Sequence, residues 1–140
     1  MKILFAADGS KFTKKALAFL ATHENLAGPE DEVVVLHVQP PVPPRVKTMV
    51  GAGIVNDYYK DESAKVLDPI GRFLKRHPAA YRTKWVIGAP SDEILRAARR
   101  EKAHMIVMGT HGHGLISRAL MGSVAQKVVA DADIPVLLVK

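Results

Sequence analysis

Short apolar runs alternate with helical patterns along the chain, and this alternation constrains the fold more than any other feature. Residues 2–7 and 33–38 are almost entirely apolar, as expected for parallel strands covered on both faces. Three further runs, at 83–87, 104–108 and 135–139, also read as strands. Apolar residues between the runs recur at helical spacing. This order predicts an α/β fold, a parallel sheet with helices on both faces and right-handed crossovers.

Four helices are predicted between these strands. The first runs from Lys11 to about Leu26 with Ser10 as its N-cap, and the last ends at about Ala130. The second covers about 57–76, where Pro69 should kink or split it. The third follows the sequence Gly88-Ala-Pro90-Ser91 and carries Asp92 and Glu93 in its first turn.

The segment 40–56 is predicted to be a loop rather than a helix or strand. It contains four prolines within five positions, followed by Gly51 and Gly53. We expect it to be mobile without ligand, and its place after the second strand would let it close over a bound molecule.

Glycines recur at fixed spacing after the fourth strand, in Gly109-Thr-His-Gly112-His-Gly114-Leu-Ile-Ser-Arg-Ala-Leu-Met-Gly122-Ser123. A glycine-rich loop between a strand and a helix can cradle phosphate, because the backbone approaches closely and the helix end offers unpaired N–H groups. The alternative is a structural glycine turn in which Ser123 caps the helix. We expect Gly122 to be the most sensitive position, with φ > 0 where the turn requires it.

Several catalytic classes are excluded by the motifs that the chain lacks. It contains no cysteine, which rules out disulfides, thiolate catalysis and cysteine-bound zinc. The six histidines show no zinc spacing, and His111 and His113 form the only close pair. The P-loop, dinucleotide and nucleophile-elbow patterns are incomplete or missing. No pair of carboxylates is placed for acid–base chemistry, so no catalytic constellation is predicted.

The net charge of +6 leaves two interpretations open. Basic residues are concentrated in 72–84 and 96–102, which indicates either two solvated helix faces or a surface that attracts nucleic acid. No DNA-binding motif or aromatic stacking platform accompanies them. No apolar run is long enough for a membrane span or a signal peptide. The 140 residues are expected to form a single cytoplasmic domain.

The chain resembles the universal stress protein family, whose nucleotide signature is G-x2-G-x9-G-[ST]. Gly109, Gly112, Gly122 and Ser123 fill its four fixed positions. The resemblance extends to residues 2–10, 34–38, 88–90 and 134–139. It implies an open five-stranded parallel sheet of order 3-2-1-4-5, Rossmann-like and similar to the adenine nucleotide alpha hydrolases. Strands 1 and 4 would then adjoin at the switch point where such sheets bind ligands.

The resemblance also implies ATP or another adenine nucleotide as ligand, with Mg²⁺ or Mn²⁺ on the phosphates. Asp8 and Ala7 would lie near the base and ribose, and Val38 would offer main-chain groups to the adenine. The amides of Gly122, Ser123 and Val124, and the Ser123 hydroxyl, would face a phosphate; Arg118 is a further candidate. Alternatively, Asp8 forms an Asx turn or helix cap, and Val38 belongs to the core.

A stress-response sensor or regulator is the function that the family implies, with ATP hydrolysis or autophosphorylation slow or absent. The resemblance also implies a homodimer, and the apolar edge strand Pro135–Lys140 favours antiparallel pairing with its copy. An unknown regulatory protein would be its partner. The alternatives are a dimeric interaction module that needs no nucleotide and a basic nucleic-acid-binding domain.

Overall fold

The computed structural model describes residues 1–112 and 121–140, where strands and helices alternate as the sequence predicts. The strands are β1 (Lys2–Ala6), β2 (Glu32–Gln39), β3 (Ala80–Ile87), β4 (Met105–Gly109) and β5 (Val136–Val139). The helices are α1 (Lys11–Thr22), α2 (Pro44–Val50), α3 (Ala52–Leu74), α4 (Pro90–Arg100) and α5 (Ser123–Asp131).

The five strands form one parallel sheet in the order β3-β2-β1-β4-β5. The predicted α/β fold and strand order are therefore confirmed. Phe5 of β1 lies between Val35 of β2 and Val107 of β4 in the register. The chain order reverses at β1, so the switch point lies between β1 and β4, and β3 and β5 form the sheet edges.

Two apolar layers cover the sheet, because successive residues of each strand point to opposite faces. Ile3 and Phe5 pack on the face that α1 and α3 cover. Leu4 and Ile106 pack on the other face, against α4 and α5. All four side chains are fully buried. Burial on both faces explains why the strand sequences are continuously apolar rather than alternating.

The prediction that 40–56 is a loop is wrong, because the segment contains α2 and the start of α3. Pro44 occupies the first turn of α2, where the N–H that proline lacks would have no helical acceptor. The other prolines precede the helix. Gly51, at φ +88°, separates α2 from α3 in a conformation that favours glycine. The predicted mobility of this segment remains a prediction.

Besides α2, the elements α1, α3 and β3 differ most from the sequence prediction. α1 ends at Thr22, and the His23 N–H turns back to the Leu20 carbonyl oxygen. Pro69 does not split α3: the helix runs from Ala52 to Leu74, and Pro69 lies on its exposed side. β3 begins at Ala80 rather than at 83, because it pairs with β2 along its whole length.

None of the helices in the described parts of the chain is long and apolar enough to cross a membrane. The longest, α3, has 23 residues. Charged side chains recur along it and leave no apolar stretch of the required length.

Candidate functional site

A cavity of about 620 Å³ opens at the carboxyl ends of β1, β2 and β4, beside the starts of α1, α4 and α5. This volume lies within the range of small-molecule sites. The cavity coincides with the switch point of the sheet. All eight residues predicted from the sequence line it: Ala7, Asp8, Val38, Gly109, Gly112, Gly122, Ser123 and Val124.

Asp8 shapes the turn between β1 and α1. Its Oδ1 accepts hydrogen bonds from the Ser10 N–H at 2.9 Å and from the Thr13 hydroxyl at 2.8 Å. The bond to Ser10 is the predicted Asx turn, and Gly9 within it has φ +79°. Ser10, not Asp8, is the N-cap of α1. The structural role of Asp8 is therefore observed, and its carboxylate also lines the cavity.

Gly109 and Gly112 are held close by protein atoms. A Cβ at Gly109 would lie 2.5 Å from Phe12 Cβ and 3.1 Å from the Phe12 carbonyl carbon, so α1 packs directly on the end of β4. A Cβ at Gly112 would lie 2.5 Å from Asp8 Oδ2. The contact at Gly109 involves the backbone of α1 and leaves no room for a side chain, whereas a Cβ at Gly112 would displace the Asp8 carboxylate oxygen. The signature spacing alone reveals neither contact.

Gly122 is the N-cap of α5 and has φ −71° and ψ 163°, so the turn requires no positive φ at this position. Its N–H donates to the Thr110 carbonyl oxygen at 2.7 Å. Ser123 is the first residue of α5 rather than its N-cap, which removes the proposed serine cap. The first amides of α5, including those of Ser123 and Val124, lack intrahelical acceptors.

Arg118, His113, Gly114 and Leu120 lie outside the described residues. The hydrogen bond between Gly122 and Thr110 joins the two described ends of this segment. The segment therefore begins and ends at the cavity wall, since Thr110 and Gly122 both line it.

His37 and the start of α4 were missed by the sequence analysis. His37 is buried, and its Nδ1 lies 2.8 Å from the Ala7 carbonyl oxygen. Because a carbonyl oxygen only accepts, Nδ1 is the donor in this hydrogen bond. Pro90 and Ile94 add an apolar wall. The one sequence signal for His37 was its place beside Val38 at the end of a strand.

Charge is sparse in the cavity wall. Among its described residues Asp8 is the one carboxylate, and no lysine or arginine occurs.

Outside the lining, the Lys127 ammonium lies 2.9 Å from the Asp92 carboxylate and links α5 to α4. This contact lowers the pKa of Asp92 and raises the pKa of Lys127. Residues 1–112 and 121–140 hold no cluster of three or more potential metal ligands.

The sequence matches known proteins over its whole length. The model of the universal stress protein family matches residues 1–140. A universal stress protein of Thermus aquaticus is 34% identical over 139 residues, which cover 99% of this chain and 97% of the relative. Universal stress protein MJ0531 of Methanocaldococcus jannaschii is 34% identical over 87 residues, covering 62% of this chain and 51% of that relative.

Solved structures share the fold. Protein MJ0577 of M. jannaschii superposes with a TM-score of 0.85 at 29% identity, covering 99% of this chain and 94% of that chain. The universal stress protein of Archaeoglobus fulgidus in complex with dAMP has a TM-score of 0.72 at 25% identity, covering 100% and 98%. Two structures with AMP and cAMP, at 19% and 23% identity, have the same fold. The chain belongs to the universal stress protein family.

Proposed function

We propose that this protein binds an adenine nucleotide, with ATP as the expected ligand, in the cavity between β1 and β4. One observation carries the proposal: the eight residues chosen from the family signature and strand ends all line a single cavity at the switch point. The dAMP complex of the A. fulgidus relative supports the same ligand class.

In this proposal the nucleoside lies at the ends of β1 and β2. The apolar walls from Ala7, Pro90 and Ile94 suit a flat base. The Asp8 carboxylate lines the cavity and is an acceptor suited to a ribose hydroxyl. The main-chain groups of Val38 are available at the end of β2 for the edge of the base.

In this proposal the phosphates lie near the start of α5. The Ser123 and Val124 amides and the Ser123 hydroxyl are donors there, and the helix end adds partial positive charge. The Gly122 amide is engaged by Thr110, so it contributes close approach rather than a hydrogen bond. A bound Mg²⁺ or Mn²⁺ would be held mainly by phosphate oxygens and water, because the described lining offers one carboxylate.

We infer a regulatory role for this nucleotide site, as a cytoplasmic stress-response sensor formed by a single domain over residues 1–140. The family model spanning 1–140 supports the domain assignment. The site contains donors for binding, and its described lining holds no pair of carboxylates for acid–base chemistry. As the family resemblance implies, ATP hydrolysis or autophosphorylation would be slow or absent, and an unidentified regulatory protein would recognise the nucleotide-bound form.

Titration calorimetry with ATP and AMP tests the binding site. Ser123→Ala should weaken ATP binding by about 1.5–3 kcal/mol, the value of a hydrogen bond to a charged acceptor. Asp8→Asn retains the Oδ1 acceptor of the turn and replaces Oδ2 by a donor, so it should weaken ATP and AMP alike but leave tripolyphosphate binding unchanged. If the wild type binds no nucleotide at millimolar concentration, the nucleotide function is wrong and an interaction module takes its place.

We also propose a homodimer through the C-terminal strand Pro135–Lys140. β5 is a sheet edge, and its four residues are only half-buried. The Ile106 and Thr110 N–H groups donate to the carbonyl oxygens of Pro135 and Val139, so the backbone groups of Leu138, by alternation, face away from β4. Such an edge can pair with a second copy across a two-fold axis.

Leu138→Pro should convert this dimer to a monomer without breaking the ladder to β4. Proline removes the outward N–H of Leu138 and is tolerated at sheet edges. Light scattering at micromolar concentration gives the mass, and circular dichroism checks that the variant is folded. A folded variant that remains dimeric would place the interface elsewhere, and a monomeric wild type would reject the dimer.

A further inference from the structure

The beginning of α1 carries an unusual concentration of lysines. Lys11, Lys14 and Lys15 lie in its first turns, and no acidic residue accompanies them in the first turn. The positive end of the helix macrodipole disfavours cations there. α4 shows the ordinary arrangement, with Asp92 and Glu93 in its first turn. The helix macrodipole therefore does not account for the lysines of α1.

Two of these lysines converge on one aromatic ring. Lys11 Nζ lies 5.3 Å and Lys15 Nζ 5.5 Å from the centroid of the Phe12 ring. Both distances are within cation–π range, so the ring holds two exposed ammonium groups on the same part of the surface. Among the described residues neither lysine has a carboxylate partner within 4 Å. Their charge is thus available to an external anion.

Phe12 connects these lysines to the cavity. It packs against Gly109, and its ring centroid lies 5.0 Å from that of His111. Gly109 and His111 both line the cavity, as do Asp8 and Thr13 on either side of Phe12 in the sequence. The cavity wall itself offers no lysine or arginine among its described residues. Phe12 thus links two cations to the wall of a cavity whose described lining has none.

We propose that Lys11 and Lys15, held on Phe12, form an outer anion subsite for the distal phosphates of a nucleoside polyphosphate. The proposal rests on nucleotide binding in the cavity and adds a preference for triphosphates over monophosphates. The nucleoside and first phosphate occupy the cavity, and the remaining phosphates extend toward α1. Each ammonium neutralises part of their charge.

The test compares AMP, ATP and tripolyphosphate in calorimetric titrations of the wild type and of Lys11→Gln/Lys15→Gln. The wild type should bind ATP more tightly than AMP. In the variant, ATP and tripolyphosphate should each bind about tenfold more weakly, as expected for two exposed charge contacts. AMP should be unaffected within about twofold. The difference should shrink at high salt.

Lys14→Gln/Lys60→Gln is the matched control, since it removes the same charge from two exposed lysines that make no cation–π contact or ion pair within the described part of the chain. It should leave all three affinities unchanged. An equal loss in both double variants, or equal affinity of the wild type for AMP and ATP, would overturn the subsite. If neither nucleotide binds, the proposed function fails, and tripolyphosphate alone decides whether Lys11 and Lys15 bind polyphosphate.

Discussion

Replacing Gly109 with alanine is expected to destabilise the protein by about 3 kcal/mol, at the upper end of the cost of overpacking. The added Cβ would lie 2.5 Å from Phe12 Cβ and 3.1 Å from the Phe12 carbonyl carbon. One of these atoms belongs to the backbone of α1, so a rotamer change cannot relieve the contact. α1 must move away from the end of β4. Urea unfolding followed by circular dichroism measures the loss.

Gly53→Ala is the matched control for this prediction. Gly53 lies in α3, and a Cβ there would meet no atom within 4 Å. The same substitution should therefore be neutral or stabilise the protein by up to ~1 kcal/mol, because alanine loses less backbone entropy on folding. Equal stability of Gly109→Ala and the wild type would show that α1 does not pack on β4 as described.

Replacing Gly122 with valine is expected to weaken nucleotide binding by at least about a hundredfold, through the loss of two charge-assisted hydrogen bonds. The branched side chain would press on the backbone of Thr110 and His111 at the cavity wall, where the Cβ alone would lie 3.4 Å from each, and would crowd the approach to the first amides of α5. The fold should survive, because φ −71° and ψ 163° suit valine and the N–H can still donate to Thr110. Calorimetry measures the affinity, and thermal melting checks the fold.

Gly122→Ala tests whether the loss of nucleotide binding depends on the size of the side chain at this position. A Cβ at this position would lie 3.4 Å from His111 Cα and 3.4 Å from the Thr110 carbonyl oxygen, a contact that the backbone can accommodate. Alanine should thus weaken binding by less than valine, with an unchanged melting temperature. Wild-type affinity of the valine variant would mean that the phosphate does not approach α5 at this residue.

The fold could be predicted from the sequence because every strand except β3 reads as a buried apolar run. β3 is an edge strand with exposed residues such as Trp85, and its start was placed too late. The helix α2 was not predicted because proline disrupts the interior of a helix but is favoured in its first turn. Pro44 takes the favourable position, which composition alone cannot distinguish from a loop.

The candidate site could be predicted only in part. The family resemblance identified eight residues of the wall, and the carboxyl ends of strands 1 and 4 bring Asp8 and Gly109 to the same edge of the sheet. The reasons for the glycines could not be predicted, since the neighbours Phe12 and Asp8 come from a different element. His37 and the α4 wall depend on strand register and on a crossover, which leave no local motif in the sequence.

The hydrogen bond between the Gly122 N–H and the Thr110 carbonyl oxygen has a consequence for how such a protein can diversify. It joins the end of β4 to the start of α5 through two backbone atoms, so it does not depend on the side chain of either residue. Any residue other than proline at position 122 can make the same bond, because proline alone lacks the N–H. The placement of this strand end relative to this helix can therefore persist while the side chains around it change, in evolution or in protein engineering.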